Sequence, residues 1–140
     1  SGDRRPLGIG AGSLAILSAL NDRDVDRVLL KQASERREFA IGDDMLRTRL
    51  VEARELGYAF NDVHVFAQMN EITGMAAVAV PVRKSDGTPI GALHVNSTTE
   101  RMEQPRRSKV VQILNEEAGL LERDLAPLLD GPGYLQRTGL

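Results

Sequence analysis

The stretch Met75–Asn96, MAAVAVPVRKSDGTPIGALHVN, decides how this chain folds. An apolar run from Met75 to Val82 meets the polar turn Ser85-Asp86-Gly87-Thr88, and a second run leaves from Pro89. Two β-prone runs joined by a short turn containing Asp-Gly predict an antiparallel hairpin. Pro81 cannot donate to a strand ladder, which predicts a sheet edge or a bulge at that point. Successive side chains of a strand point to opposite faces. Leu93 and Val95 therefore share one face, fit to lie under helices, while Ala92, His94 and Asn96 share the other. A face that mixes small and polar residues reads as a ligand wall or as a wetted surface, and the alternation alone leaves both open.

Working outward, Gln104–Leu129 reads as a long helix with Pro105 near its first turn. Val110, Ile113, Leu114, Ala118, Leu121, Leu125 and Leu128 form its apolar stripe. Gly131-Pro132-Gly133 ends it, leaving a tail. Toward the N-terminus, Arg5–Ser13 reads RPLGIGAGS, a glycine-rich segment with Ser13 as the expected cap of a helix over Leu14–Leu20. Val25, Val28 and Leu29 mark a helix to about Gln32, and the charged segment Ala33–Ile41 reads as frayed or turning. Asp43 is the expected cap of a helix with Leu46, Leu50, Ala53 and Leu56 on one stripe, closed by Gly57 in the left-handed region. Tyr58–Asn61 reads as a short strand, and residues 62–73 give no firm reading. The expected class is α+β, an antiparallel sheet with helices packed on one face and the polar strand face turned away from them.

The composition narrows the function. At 15.3 kDa the chain suits one domain with a real core. A net charge of −2, 4% aromatic residues and no Trp argue against a phosphate-holding field or a stacking platform for nucleic acid. The absence of cysteine removes disulfides, thiolate nucleophiles and cysteine metal sites, as suits a cytoplasmic protein. No run has the length of a membrane span, and no signal-peptide pattern opens the chain.

Catalytic signals are missing as well. His64 and His94 are the two histidines, without metal-ligand spacing, so no metal or cofactor is expected. No G-x-S-x-G occurs. The acid pairs Asp43-Asp44 and Glu116-Glu117 fall in helical settings where charge is ordinarily solvated. What remains is a concavity. The glycine-rich helix start supplies N–H groups, His94 and Asn96 supply side-chain donors, and Met75, Ala77 and Ala92 supply apolar wall. Such a mixture suits a small organic acid. Each apolar member taken alone is ordinary core.

Three segments carry a resemblance: PLGIGAGSLAILSAL, LVEARELGYAFND, and GMAAVAVPVRKSDGTPIGALHVNSTTERM, followed by the terminal amphipathic helix. In order and spacing they resemble the effector-binding domain of the IclR family of bacterial transcription regulators, over nearly all of Arg5–Leu129. The resemblance implies a GAF-like fold over residues 1–130 with an effector cavity, a domain without its first strands here, and a tail over 131–140. It also implies a small organic acid as effector, a homo-oligomer (dimer or tetramer), and DNA held only through an N-terminal winged helix-turn-helix outside this chain. By position it implies effector contacts at Gly10, Ala11, Gly12, Asn61, Met75, Ala77, His94 and Asn96. Asn61 stands where the family often has an acid, and His94 and Asn96 where it often has serines. The expected function is effector sensing without enzymatic turnover. A ligand-free dimerisation module is the alternative.

Overall fold

The hairpin forms. In the computed structural model, which describes residues 5–39, 41–62 and 74–130, strand β2 (Met75–Arg83) pairs antiparallel with strand β3 (Pro89–Thr98). The turn is closed by Lys84 N–H to Thr88 O at 2.8 Å and Gly87 N–H to Lys84 O at 2.9 Å, with Gly87 at φ 87°. The Asp86 carboxylate accepts the Thr88 N–H at 2.9 Å, as a short acid in a turn does. A bulge falls between Val82 and Arg83. Strand β1 (Ala59–Asn61) adds to the other side of β2, giving the order β1-β2-β3. Because β1 reaches only Ala77–Ala79, β2 has a neighbour on one side only at Pro81, and the proline is tolerated in the middle strand.

Among the described residues five helices surround this sheet: α1 (Ala11–Ala19), α2 (Asp22–Lys31), the short α3 (Ala33–Arg36), α4 (Asp43–Leu56) and α5 (Arg106–Leu129). Turns of 3-10 helix follow α3 at Arg37–Phe39 and precede α5 at Glu100–Met102. The charged segment after Gln32 is thus mostly helical. Asn21 caps α2 by accepting the Asp24 N–H, and Gly57 closes α4 at φ 81°. Two expected caps move by one to three residues. Gly42, not Asp43, precedes α4. Gly10, not Ser13, precedes α1, and Ser13 lies inside that helix, accepting the Gly8 N–H at 3.0 Å and donating to Gly10 O. Arg54 of α4 donates to Leu20 O at 2.8 Å and pairs with Asp22, covering carbonyls at the end of α1 that have no partner within the helix.

The α+β class and the antiparallel sheet are as the sequence implied, and the alternation of β3 is kept. The arrangement of helices differs in one respect: both faces of the sheet carry them. Ala76, Val78, Val80 and Val82 of β2, with Leu93, pack against Val111, Leu114 and Ala118 of α5. The opposite face, with Ala59, Ala77, Ala79 and Ala92, packs against Leu14, Leu17, Leu46 and Leu50 of α1 and α4. The alanines on that face leave room for α1 to lie close to the sheet. The stripe of α5 is also rotated from its expected setting. Val111 is buried, whereas Ile113 is 58% exposed and Leu121 and Leu128 are also exposed.

Candidate functional site

The start of α1 lies against the face of β3 that the alternation picks out. A Cβ placed on Gly12 would sit 3.8 Å from His94 Cδ2 and 4.0 Å from the Ala92 Cβ. The imidazole therefore covers a gap that exists because residue 12 has no side chain. One pleat further along β3, Asn96 stands opposite Ala77, which in turn stands opposite Asn61 on β1. His94, Asn96, Ala77 and Asn61 thus share a face with the glycine-rich helix start. His94 and Asn96 are exposed, Gly10, Gly12 and Met75 are half-buried, and Ala11 and Ala77 are buried. His64 and most of the 62–73 segment lie outside the described residues.

Asn61 is placed differently from the others. It is fully buried, and both ends of its carboxamide are engaged. Its Nδ2 donates to Ile9 O at 3.0 Å, and its Oδ1 accepts from Arg49 Nη2. Arg49, 8% exposed, sends its Nη1 to Gly8 O at 3.0 Å. Burial lowers the pKa of this guanidinium from its ordinary value, opposed by the charges of Glu52 and Asp62. Sequence reading missed Arg49, because an arginine on an amphipathic helix ordinarily reads as solvent-facing. Arg36 was missed for the same reason. It is 1% exposed, donates to Leu29 O at 2.7 Å and pairs with Asp43.

The α1 start presents several backbone donors that have no partner among the described residues. Gly10 O accepts the Leu14 N–H, the first helical bond. Among the described residues, the N–H groups of Ile9, Gly10, Ala11 and Gly12 meet no acceptor. A helix leaves its first N–H groups unpaired, and such a cluster attracts anions. A hollow of about 450 Å³ opens on the opposite face of β3, where Val95 and Ser97 alternate with His94 and Asn96; Arg101, Met102, Arg106 and Val110 complete its lining. Among the described residues no cluster of His, Asp or Glu is arranged to hold a metal, and no helix is long and apolar enough to cross a membrane.

Comparison with known proteins places this geometry in a family. The family model "Bacterial transcriptional regulator IclR C-terminal" matches residues 1–123. Among solved structures, the C-terminal domain of the E. coli transcriptional regulator KdgR is 26% identical with a TM-score of 0.66, covering 84% of this chain and 69% of that one. The inducer-binding domain of a double mutant of the PobR transcription factor from Acinetobacter, in complex with 3-hydroxybenzoic acid, is 25% identical with a TM-score of 0.61, covering 86% and 67%. The IclR of Thermotoga maritima, 19% identical with a TM-score of 0.66, covers 89% and 53% and shows the shared fold. No curated protein sequence matches. The chain spans about half the length of the Thermotoga maritima protein and of other solved relatives.

Proposed function

Because this chain belongs to the IclR family of bacterial transcription regulators, matching its C-terminal region, we propose that it is the effector-sensing and oligomerisation part of such a regulator. The effector is a small organic acid, and DNA is held by a winged helix-turn-helix outside residues 1–140. It acts by binding without turnover, in the cytoplasm. The observation that carries the reading is the imidazole of His94 set against Gly12 at the start of α1, on the face that also carries Asn96. A carboxylate at the N–H groups of the α1 start, with its carbon body toward Met75, Ala77 and Ala92, fits that arrangement. Gly10, Ala11 and Gly12 line its acidic end, His94 and Asn96 its rim, and Asn61 its floor. The 3-hydroxybenzoate bound to the PobR domain supports an acid as the ligand class. Effector binding then changes the affinity for operator only through its different affinity for two arrangements of subunits.

The test is a thermal-shift series with 3-hydroxybenzoate and a panel of aliphatic and aromatic acids. A ligand at a hundred times its Kd stabilises the folded state by about 2.7 kcal/mol. The double variant His94→Ala with Asn96→Ala is expected to lose that shift while keeping its unliganded midpoint. A double variant that keeps the whole shift removes these two residues from the site.

A second reading, a dimerisation module that takes no ligand, draws on the exposure of both His94 and Asn96 and on the apolar side of α5. It is favoured if no acid in the panel stabilises the protein.

A further inference from the structure

Arg49 is a buried cation whose hydrogen bonds go to neutral acceptors: the Gly8 carbonyl and the Asn61 carboxamide. No carboxylate pairs with it directly among the described residues, and Glu52 and Asp62 act on it through space. Burying a charge without a paired carboxylate costs free energy that hydrogen bonds to neutral acceptors offset only in part. What depends on it is the segment before α1. Arg49 holds the carbonyl of Gly8, and Asn61 holds the carbonyl of Ile9. A planar trans peptide points its N–H away from its C=O. Fixing the Ile9 carbonyl inward therefore turns the Gly10 N–H the other way, toward the donors of Ala11 and Gly12, while Ile9 itself stays fully buried. Core packing of Pro6 and Ile9 also anchors the segment. Leu7 N–H bonds to Gln32, Gly8 N–H bonds to Ser13, and Gly8 stands at φ 96°.

We propose that Arg49 and Asn61 are positioning residues for the effector site: together they fix the segment before α1 so that the Gly10 N–H is presented to a ligand beside those of Ala11 and Gly12, and the buried guanidinium makes that site prefer an anion over a neutral molecule of the same shape. This rests on the reading of the His94 face as an effector site, but its positioning half stands apart from any ligand. Arg49→Lys keeps the charge and loses the two-pronged grip, since an ammonium is a point donor. Arg49→Met loses both, and Asn61→Ala releases the Ile9 carbonyl alone.

Hydrogen exchange of the unliganded 140-residue chain tests the positioning. In Arg49→Lys and Asn61→Ala the hydrogen-bonded amides of Leu7, Gly8 and Leu14 are expected to exchange roughly tenfold faster, with α5 unchanged. Exchange equal to that of the wild type in both variants overturns the proposal. Calorimetry with 3-hydroxybenzoate and with the neutral 3-hydroxybenzyl alcohol tests the charge. The acid-to-alcohol affinity ratio is expected to fall on the order of tenfold in Arg49→Met and to be largely restored in Arg49→Lys. A ratio unchanged in Arg49→Met refutes the anion preference. Should Arg49→Met not fold, a Lys variant whose ratio equals that of the wild type supports charge as the determinant, and a ratio lowered as far as loss of grip alone requires refutes it. A wild type that binds neither probe fails the effector reading, and the exchange result still decides the positioning.

Discussion

Gly8 and Gly12 look alike in the sequence, two of three glycines at alternate positions, yet the fold uses them in opposite ways. Gly8 stands at φ 96°, and a Cβ there would meet Leu46 Cδ1 at 2.5 Å, with Leu46 itself fully buried. Gly8→Ala combines backbone strain with overpacking and is expected to destabilise by about 2–3 kcal/mol, read from the urea midpoint at unchanged slope. Gly12 is an ordinary helical residue with ordinary contacts waiting for its Cβ. Gly12→Ala removes the entropic disadvantage of glycine in a helix and is expected to stabilise by up to about 1 kcal/mol. The same methyl occupies the gap beside His94, so it is expected to weaken binding of an acid. A variant that gains stability and loses ligand would show that the gap is kept for function rather than packing. Alternation along β3 and the resemblance both pointed to His94 and Asn96, because strand geometry is local. Arg49 lies three residues after Leu46 and four before Ala53, so spacing sets it on the buried stripe while Arg47 and Arg54 stand outside. It is missed because a charged side chain reads as solvent-facing.

At the scale of elements, periodicity gave α4, α5 and the hairpin, but the rotation of α5 depends on what lies across from it. The valines of β2 take Val111, Leu114 and Ala118, leaving Ile113 outside the contact. Leu114→Ala is expected to cost about 2–4 kcal/mol and Ile113→Ala less than about 0.5, a contrast that equilibrium unfolding can read directly. Helices on both faces were likewise illegible, because small residues such as Ala77, Ala79 and Ala92 do not announce which helix they admit. The hairpin turn carries a pH signature. The Thr88 N–H, and to a lesser degree Lys84, hold the Asp86 carboxyl below its ordinary pKa. A depressed folded value contributes stability above the unfolded pKa of about 3.9 and loses it as pH falls through the folded value. The stability difference between wild type and Asp86→Ala is therefore expected to be level near neutral pH and to shrink in acid below about pH 4. A difference that grows on acidification would assign the turn's stability to something other than the carboxylate.

Across the whole molecule, β2 is shared by two cores. Ala77 and Ala79 face the α1 side, where the proposed effector lies, and Ala76, Val78 and Val80 face α5. The outer side of α5 exposes Ile113, Leu120, Leu121 and Leu128, at spacings of seven and eight residues that place them along one side of the helix. Under the proposed reading this strip is where a second copy of the chain docks. Ile113→Glu with Leu120→Glu is then expected to shift sedimentation from dimer or larger to monomer, with circular dichroism unchanged. A wild type that stays monomeric at high concentration would remove the strip from the assembly. If the strip and the His94 face are coupled through β2, linkage imposes a stricter condition. With one site on each protomer, the factor by which a saturating acid changes the dimer dissociation constant must equal the square of the factor by which dimerisation changes the per-site affinity, the latter typically about 5–150-fold in allosteric proteins. Sedimentation with and without saturating 3-hydroxybenzoate gives one factor, and calorimetry on the wild type and the Ile113→Glu, Leu120→Glu monomer gives the other. Two factors near one would mean that the ligand senses no change of assembly, and that any signal to DNA leaves this domain by another route.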